Sequence, residues 1–318
     1  MTAIILDCDP GHDDAIAIML AIADPSIELL AVTTVAGNVT LDHTTRNALR
    51  VLDMMGRPDI PVAAGRAAPL IRELSTAAVM HGETGLAGPL PIEPSRDALD
   101  TPAVDLIQQV IASSDEPVTL VATGPLTNIA DLIQQNPKVI DQVAQLVIMG
   151  GAVDLGNWTP AAEFNIWVDP HAADLVFRHG CCPGQRSAGL LPLTMIGLEV
   201  THQAWLTNEH AEALRDRSNA GRFVAELLDH FVGFHQERFG WEGAPIHDAV
   251  TIAHLIDPTL VLTLPMNVRI EVDSPLCVGR TVADRWSVTG LAPNAAVGLG
   301  IDRPAFVALL MERLAALP

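Results

Sequence analysis

The stretch Ile4-Ile5-Leu6-Asp7-Cys8-Asp9-Pro10-Gly11-His12-Asp13-Asp14-Ala15 decides how the chain is read. An apolar run of strand type opens it, and Ala15-Ile16-Ala17-Ile18-Met19-Leu20, apolar and of helix type, continues from it. A strand, a tight turn and a helix start therefore follow one another. Pro10 fixes its own φ, and Gly11 is read as supplying a conformation that other residues avoid, so that the backbone reverses where Asp9 leaves the strand. Asp13 and Asp14 fall in the first helical turn, where the helix dipole favours negative charge. Capping accounts for one or two aspartates. It does not account for Asp7, Asp9, Asp13 and Asp14 within eight positions, which are expected to converge on the carboxyl end of the strand. Crowded carboxylates repel one another, and a cation relieves that repulsion. An all-oxygen ligand set suits hard Ca²⁺ or Mg²⁺ better than Zn²⁺.

Outward from this stretch, residues 27 to 35 read as a second strand ending in Gly37-Asn38, residues 41 to 55 as a helix, and residues 61 to 65 as a short strand. Alternation of this kind predicts an α/β, Rossmann-like fold: a mostly parallel central sheet flanked by helices. Ligands in such sheets gather at the carboxyl ends of strands, which places Asp9 and Asn38 on one rim. His81 lies in a glycine-punctuated loop. Residues 101 to 113 read as a helix. The strand at 118 to 122 enters Thr123-Gly124-Pro125-Leu126-Thr127-Asn128, where a free backbone carbonyl is available to a cation. The strand ending at Met149 runs into Gly150-Gly151. The loop beyond it carries Asn157, Trp158, Glu163, Phe164 and Asn165, a set that suits a sugar or a planar ring. Helices are expected at 171 to 179, 207 to 218, 220 to 239 and 303 to 317, and strands at 191 to 197, 260 to 264, 268 to 272 and 280 to 282. Pro245-Ile246-His247-Asp248 opens one more helix, to residue 256, with an acid in its first turn. The stretch 181 to 189 is turn-rich and is expected to be a surface bulge without a catalytic part. No linker or composition shift divides the chain, so residues 1–318 are expected to form one domain.

Apolar residues make up 49% of 318, enough to build a globular core. Asp and Glu number 38 against 18 Lys and Arg, a net charge of −20, which argues against nucleic acid or an anionic membrane as partner. A small neutral substrate is compatible with that field. Nothing approaches the ~18 continuous apolar residues of a membrane span, and no secretory leader pattern is seen at the start. Four cysteines show neither a disulfide framework nor zinc spacing, so a reducing cytoplasm is the expected compartment.

Asp7-x-Asp9-Pro10-Gly11-x-Asp13-Asp14-Ala15, Ala36-Gly37-Asn38, Thr123 to Asn128, Met149-Gly150-Gly151, Glu163-Phe164-Asn165 with Asp169-Pro170, and His247-Asp248 together resemble the inosine-uridine preferring nucleoside hydrolases. The wording of the first motif, with His12 inside it, is most similar to the pyrimidine-specific ribonucleoside hydrolases. The resemblance implies hydrolysis of the N-glycosidic bond of a ribonucleoside to free base and ribose. It implies Ca²⁺ held by Asp9, Asp14, Asp248 and the carbonyl of Thr123, with Asp9 also the base that deprotonates water. It assigns Asp13, Asn38, Asn157, Glu163 and Asn165 to the ribose hydroxyls, with Met149, Trp158 and Phe164 among the substrate contacts. His247 and His81 fall on the base side, His247 as a catalytic residue. A homo-oligomer, dimer or tetramer, is also implied. Where pyrimidine-specific relatives tend to carry a glutamine and a tyrosine before the second histidine, this chain has His235 and Phe239, and it contains no tyrosine. A purine-preferring or broad-specificity hydrolase is therefore the alternative. A Mg²⁺-dependent phosphohydrolase is a more distant one: Gly11 replaces the Thr or Val wanted two places after the second aspartate, and Lys138 is the only lysine. A non-catalytic sugar or Ca²⁺-binding protein would keep the acids but has no need of His247.

Overall fold

The computed structural model describes residues 1–89 and 93–318. Its first half runs β1 (Thr2–Cys8), α1 (His12–Ala23), β2 (Ile27–Thr34), α2 (Leu41–Met54), β3 (Val62–Ala64), α3 (Ala78–His81), α4 (Ala103–Ser113), β4 (Val118–Ala122), α5 (Thr127–Gln135) and β5 (Val143–Met149). Next come α6 (Phe164–Val168), α7 (Pro170–Arg178), β6 (Gly180–Cys181), β7 (Leu191–Ile196), α8 (Leu198–Thr201), β8 (Trp205–Leu206), α9 (Asn208–Arg215) and α10 (Asn219–Phe239). The chain closes with β9 (Ala244–Pro245), α11 (Ala249–Ile256), β10 (Val261–Met266), β11 (Val268–Ile270), β12 (Thr281–Ala283), β13 (Ala295–Ile301) and α12 (Arg303–Ala315).

Strand β1 is apolar at successive positions because both of its faces are covered. Ile4, Leu6 and Cys8 pack with Leu20, Leu52, Phe231, Val250 and Leu310 from helices on one side. Ile5, pointing the other way, packs with Ile107, Ile129 and Val176 from α4, α5 and α7. Such a strand belongs in the interior of a parallel sheet. The order is β10-β13-β7-β5-β4-β1-β2-β3, with β6 beside β7. Every pairing in that sheet is parallel except β10 with β13. From β1 the chain builds outward through β2 and β3, then crosses to β4 and builds the other way. The reversal opens a crevice at the carboxyl ends of β1 and β4, the usual ligand position in an open α/β sheet. The expected α/β architecture is thus the one observed.

Two details depart from the sequence reading. Gly11 has φ −101°, which any residue adopts. Its need for glycine is steric, since a Cβ there would stand 2.5 Å from Nδ1 of His81 and 2.9 Å from Nδ2 of Asn38. Asp7, in turn, does not converge with the other three aspartates. It lies one rung inside the sheet, in register with Thr33 and Ala122, and its Oδ1 accepts from Thr33 Oγ1 at 2.6 Å and Asn128 Nδ2 at 2.8 Å. Asp7 therefore ties β1 to β2 and α5, and burial pushes its carboxyl up to about 6.

Residues 183–189 are exposed, and the turn is pinned where Arg186 donates to the carbonyls of Ile140 and Asp141. No helix among the described residues is long and apolar enough to cross a membrane.

Candidate active site

Four strand ends supply the floor of the crevice. Asp9 follows β1, Asn38 follows β2, Thr123 follows β4, and Met149 ends β5. Asp9 is fully buried. Its Oδ2 accepts from the backbone N–H of Asn38 at 2.6 Å, whereas its Oδ1 has no hydrogen-bond partner among the described residues. Two glycines make room for it, because a Cβ on Gly37 would meet Oδ2 at 2.1 Å and one on Gly124 would meet Oδ1 at 2.7 Å. Gly37→Ala is accordingly expected to lower stability by about 1–3 kcal/mol through overpacking and to displace Asp9. Denaturant titration beside an activity assay checks both effects, and an unchanged midpoint would contradict the close approach.

Asp14, unlike Asp9, is committed at both oxygens. Its Oδ1 accepts from Thr123 Oγ1 at 2.8 Å; its Oδ2 accepts from Gly11 N–H at 3.0 Å and from Asn38 Nδ2 at 3.2 Å. Oxygens of Asp13, Asp14 and Asp248 all lie within 4.8 Å of one another. Asp13, which the resemblance assigns to ribose, is therefore part of the tightest carboxylate group, and Asp9 lies outside that group. Burial raises the pKa of all four, and the neighbouring negative charges raise those of Asp9, Asp13 and Asp248 further. Three crowded carboxylates, a buried oxygen on Asp9 without a partner and a purely oxygen donor set fit a hard divalent cation.

The carbonyl of Thr123 accepts from Asn165 Nδ2 at 2.8 Å, and that of Met149 accepts from the same group at 3.2 Å. Glu163 caps α6: its Oε1 accepts from Asn165 N–H at 2.9 Å, and its Oε2 from Gly151 N–H at 2.9 Å and Ile166 N–H at 3.1 Å. Asn157 Oδ1 accepts from Phe164 N–H at 2.9 Å. Trp158 stands edge-on to Phe164 with centroids 4.9 Å apart. These bonds hold the 157–165 loop over the strand ends.

One cleft gathers Asp13, Asn38, His81, Thr123, Met149, Asn157, Trp158, Glu163, Phe164, Asn165, His247 and Asp248. Asp9 and Asp14 lie buried beneath this wall. Nδ1 of His247 is 2.7 Å from Thr201 Oγ1 at the end of α8, and burial holds this imidazole well below its ordinary range. His235 and Phe239 are not on the wall. His235 is turned back along its own helix, its Nδ1 donating to the carbonyl of Phe231 at 2.8 Å, and its ring stacks on Trp241. Phe239, one turn later, is half exposed. The wall position on α10 belongs to Phe231, joined by Met80 of α3 and by Ala77 just before it; His81, expected in a loop, ends that short helix. The i−4 spacing of Phe231 from His235 on one helical face was the signal that points to it.

A family model described as inosine-uridine preferring nucleoside hydrolase matches residues 4–308. The chain belongs to that family. As a nucleoside hydrolase it is a hydrolase acting on N-glycosyl compounds. It is similar to a protein of a Shewanella species named pyrimidine-specific ribonucleoside hydrolase RihA, with 51% identity covering 98% of this chain and 96% of the relative. Among solved structures, the purine-preferring ribonucleoside hydrolase from Gardnerella vaginalis superposes with TM-score 0.90 at 34% identity, covering 99% of this nucleoside hydrolase and 98% of that chain. A plant nucleoside hydrolase, PpNRh1, gives TM-score 0.90 at 34% identity over 99% of both chains.

Proposed function

We propose that this nucleoside hydrolase cleaves pyrimidine ribonucleosides such as uridine and cytidine, with Ca²⁺ held by Asp9, Asp14, Asp248 and the carbonyl of Thr123. The observation that carries the reading is a single cleft with Asp13 and Asp248 on its wall, two imidazoles beside them, and an uncommitted oxygen of Asp9 beneath. Ca²⁺ held by these residues would polarise a water but acidify it only weakly. Asp9, itself one of the proposed ligands, also takes the proton from the attacking water. Asp13, Asn38, Asn157, Glu163 and Asn165 bind the ribose hydroxyls. As the C–N bond lengthens, positive charge develops on the sugar ring, and the surrounding carboxylates stabilise it. His247, held by Thr201, hydrogen-bonds or protonates the departing base. The 51% identity to a protein named pyrimidine-specific supports the choice of base.

A substrate panel of uridine, cytidine, inosine, adenosine and their deoxy forms, read as released sugar, tests this. A pyrimidine ribonucleoside is expected to exceed inosine by at least about tenfold in kcat/KM, a difference of roughly 1.4 kcal/mol. The reverse order would favour the second reading, a purine-preferring or broad-specificity enzyme. That reading is favoured by the absence of tyrosine and by the retreat of His235 from the wall. Deoxyuridine is expected to be at least about a hundredfold slower than uridine, because a hydroxyl site left unpaired costs heavily. Uridine monophosphate is expected to resist cleavage, since Glu163 meets the 5′ end and the rim is acidic. Comparable turnover of uridine and its monophosphate would count against that placement.

The enzyme is further proposed to act in the cytoplasm as a homo-oligomer. The family resemblance, which implies a dimer or tetramer, supports this. Light scattering on the purified protein is expected to give a dimer or tetramer mass; a monomer would overturn the proposal.

A further inference from the structure

His12 is the member of the opening motif that the proposed reaction leaves without a task. Its ring is fully buried, stacked against His230 and Phe231 with centroids 5.1 Å away in each case. Nε2 lies 2.8 Å from the carbonyl oxygen of Ala87, and Nδ1 lies 3.1 Å from Nδ1 of His81. A carbonyl only accepts, so Nε2 of His12 carries a hydrogen and donates to Ala87. Among the described residues no carboxylate bonds to this ring, and a second ring hydrogen would bury an unpaired charge. Nδ1 of His12 is therefore a lone pair. Two nitrogens 3.1 Å apart attract only when one carries hydrogen, and that hydrogen must be on Nδ1 of His81.

The competing arrangement lets the backbone N–H of His12 donate to Nδ1 of His81 across 3.3 Å. It then sets two ring lone pairs against each other at 3.1 Å, whereas the arrangement with hydrogen on Nδ1 of His81 gives up only the longer bond from the His12 backbone N–H. Ring tautomers follow from the network of partners in this way. With its hydrogen on Nδ1, His81 has a bare Nε2. His81 lines the cleft, and its Nε2 has no hydrogen bond with the described residues.

We infer that His12 is a positioning residue: by accepting from Nδ1–H of His81 it fixes the tautomer in which Nε2 of His81 faces the cleft as an acceptor for an N–H group on the substrate base. The base itself is assigned by the function proposed above, and both pyrimidines offer such a group, uracil on its ring nitrogen and cytosine on its amino nitrogen. His81 thus holds the base and does not protonate it. Both residues are far apart in sequence, and the contact exists because Gly11 has no side chain to separate them.

The test is nitrogen NMR of the histidine-labelled full chain without substrate, with the His81 signals identified by their loss in His81→Gln. Nδ1 of His81 is expected to be pyrrole-like and Nε2 pyridine-like. His12→Phe preserves the stack and removes both nitrogens, and the pattern should reverse. His12→Asn returns an amide oxygen near the Nδ1 position and should restore it. In parallel, kcat/KM for uridine is expected to fall about tenfold in His12→Phe, the scale of one hydrogen bond, and His12→Asn to recover most of the loss. A pyrrole-like Nε2 in the unaltered protein, an unchanged tautomer in His12→Phe, or equal kinetic losses in both variants would each overturn the inference. If His12→Phe does not fold, the tautomer in the unaltered protein still decides. Should no pyrimidine nucleoside be cleaved, the proposed base fails while the substrate-free spectrum separately judges His12.

Discussion

Asp9→Asn is expected to lower kcat for the preferred ribonucleoside by at least about a thousandfold, the scale of a general base whose proton acceptor is removed. The substitution is nearly isosteric, and an amide oxygen can still accept from the N–H of Asn38, the bond that orients Asp9 at 2.6 Å. What it replaces is Oδ1, the one oxygen of this carboxylate with no protein partner among the described residues. An amide nitrogen there has no lone pair with which to take a proton. Release of ribose from uridine measures the effect, and circular dichroism checks that the fold persists. A loss smaller than about tenfold would remove Asp9 from the role of base. It would also revive the reading of a binding module, for which this change should affect little beyond metal affinity.

Chelation is the second large effect. Removing divalent cations from the purified enzyme is expected to reduce cleavage of every nucleoside in the panel to background, and added Ca²⁺ to restore it. Stability should move in the same direction, because a ligand that binds only the folded state stabilises it by about 2.7 kcal/mol at a hundred times its dissociation constant. The melting temperature of the metal-free protein should therefore rise when Ca²⁺ is supplied. In Asp14→Asn the rise should vanish: the amide oxygen can keep the bonds from Gly11 and Asn38, the amide nitrogen can donate to a Thr123 hydroxyl turned to accept, and the negative charge is lost. Full activity after chelation, or an unchanged melting temperature, would sink the assignment of Ca²⁺.

The sheet was readable because β1 and its neighbours are apolar on both faces, a pattern that only an interior parallel strand produces. The rim was readable for a related reason, since acids and amides directly after such strands have nowhere to go but the carboxyl ends. Asp7 was misplaced because spacing alone makes it equivalent to Asp9. What separates them is a neighbour's side chain, Thr33 on β2, and the amide of Asn128, both remote in the sequence. Gly11 is needed for a reason that local sequence does not carry, since the crowding comes from His81, far along the chain. His235 and Phe239 illustrate the limit of a positional reading on a helix. Their helical phase is set by packing, and it turns Phe231 to the cleft while His235 stacks on Trp241.

The central strand ends hold the acids, whereas α10 and the segment bearing Met80 and His81 wall the other part of the cleft from outside the sheet. On the proposed function the acids and most of the wall that would meet the base are borne by different pieces of architecture, with His247 beside Asp248 the point where they join. On that same function, reshaping α3 and the wall position of α10 should retune which heterocycle is accepted while the acids at the strand ends stay in place, so a directed library confined to residues 77–81 and Phe231 is the economical route to new selectivity.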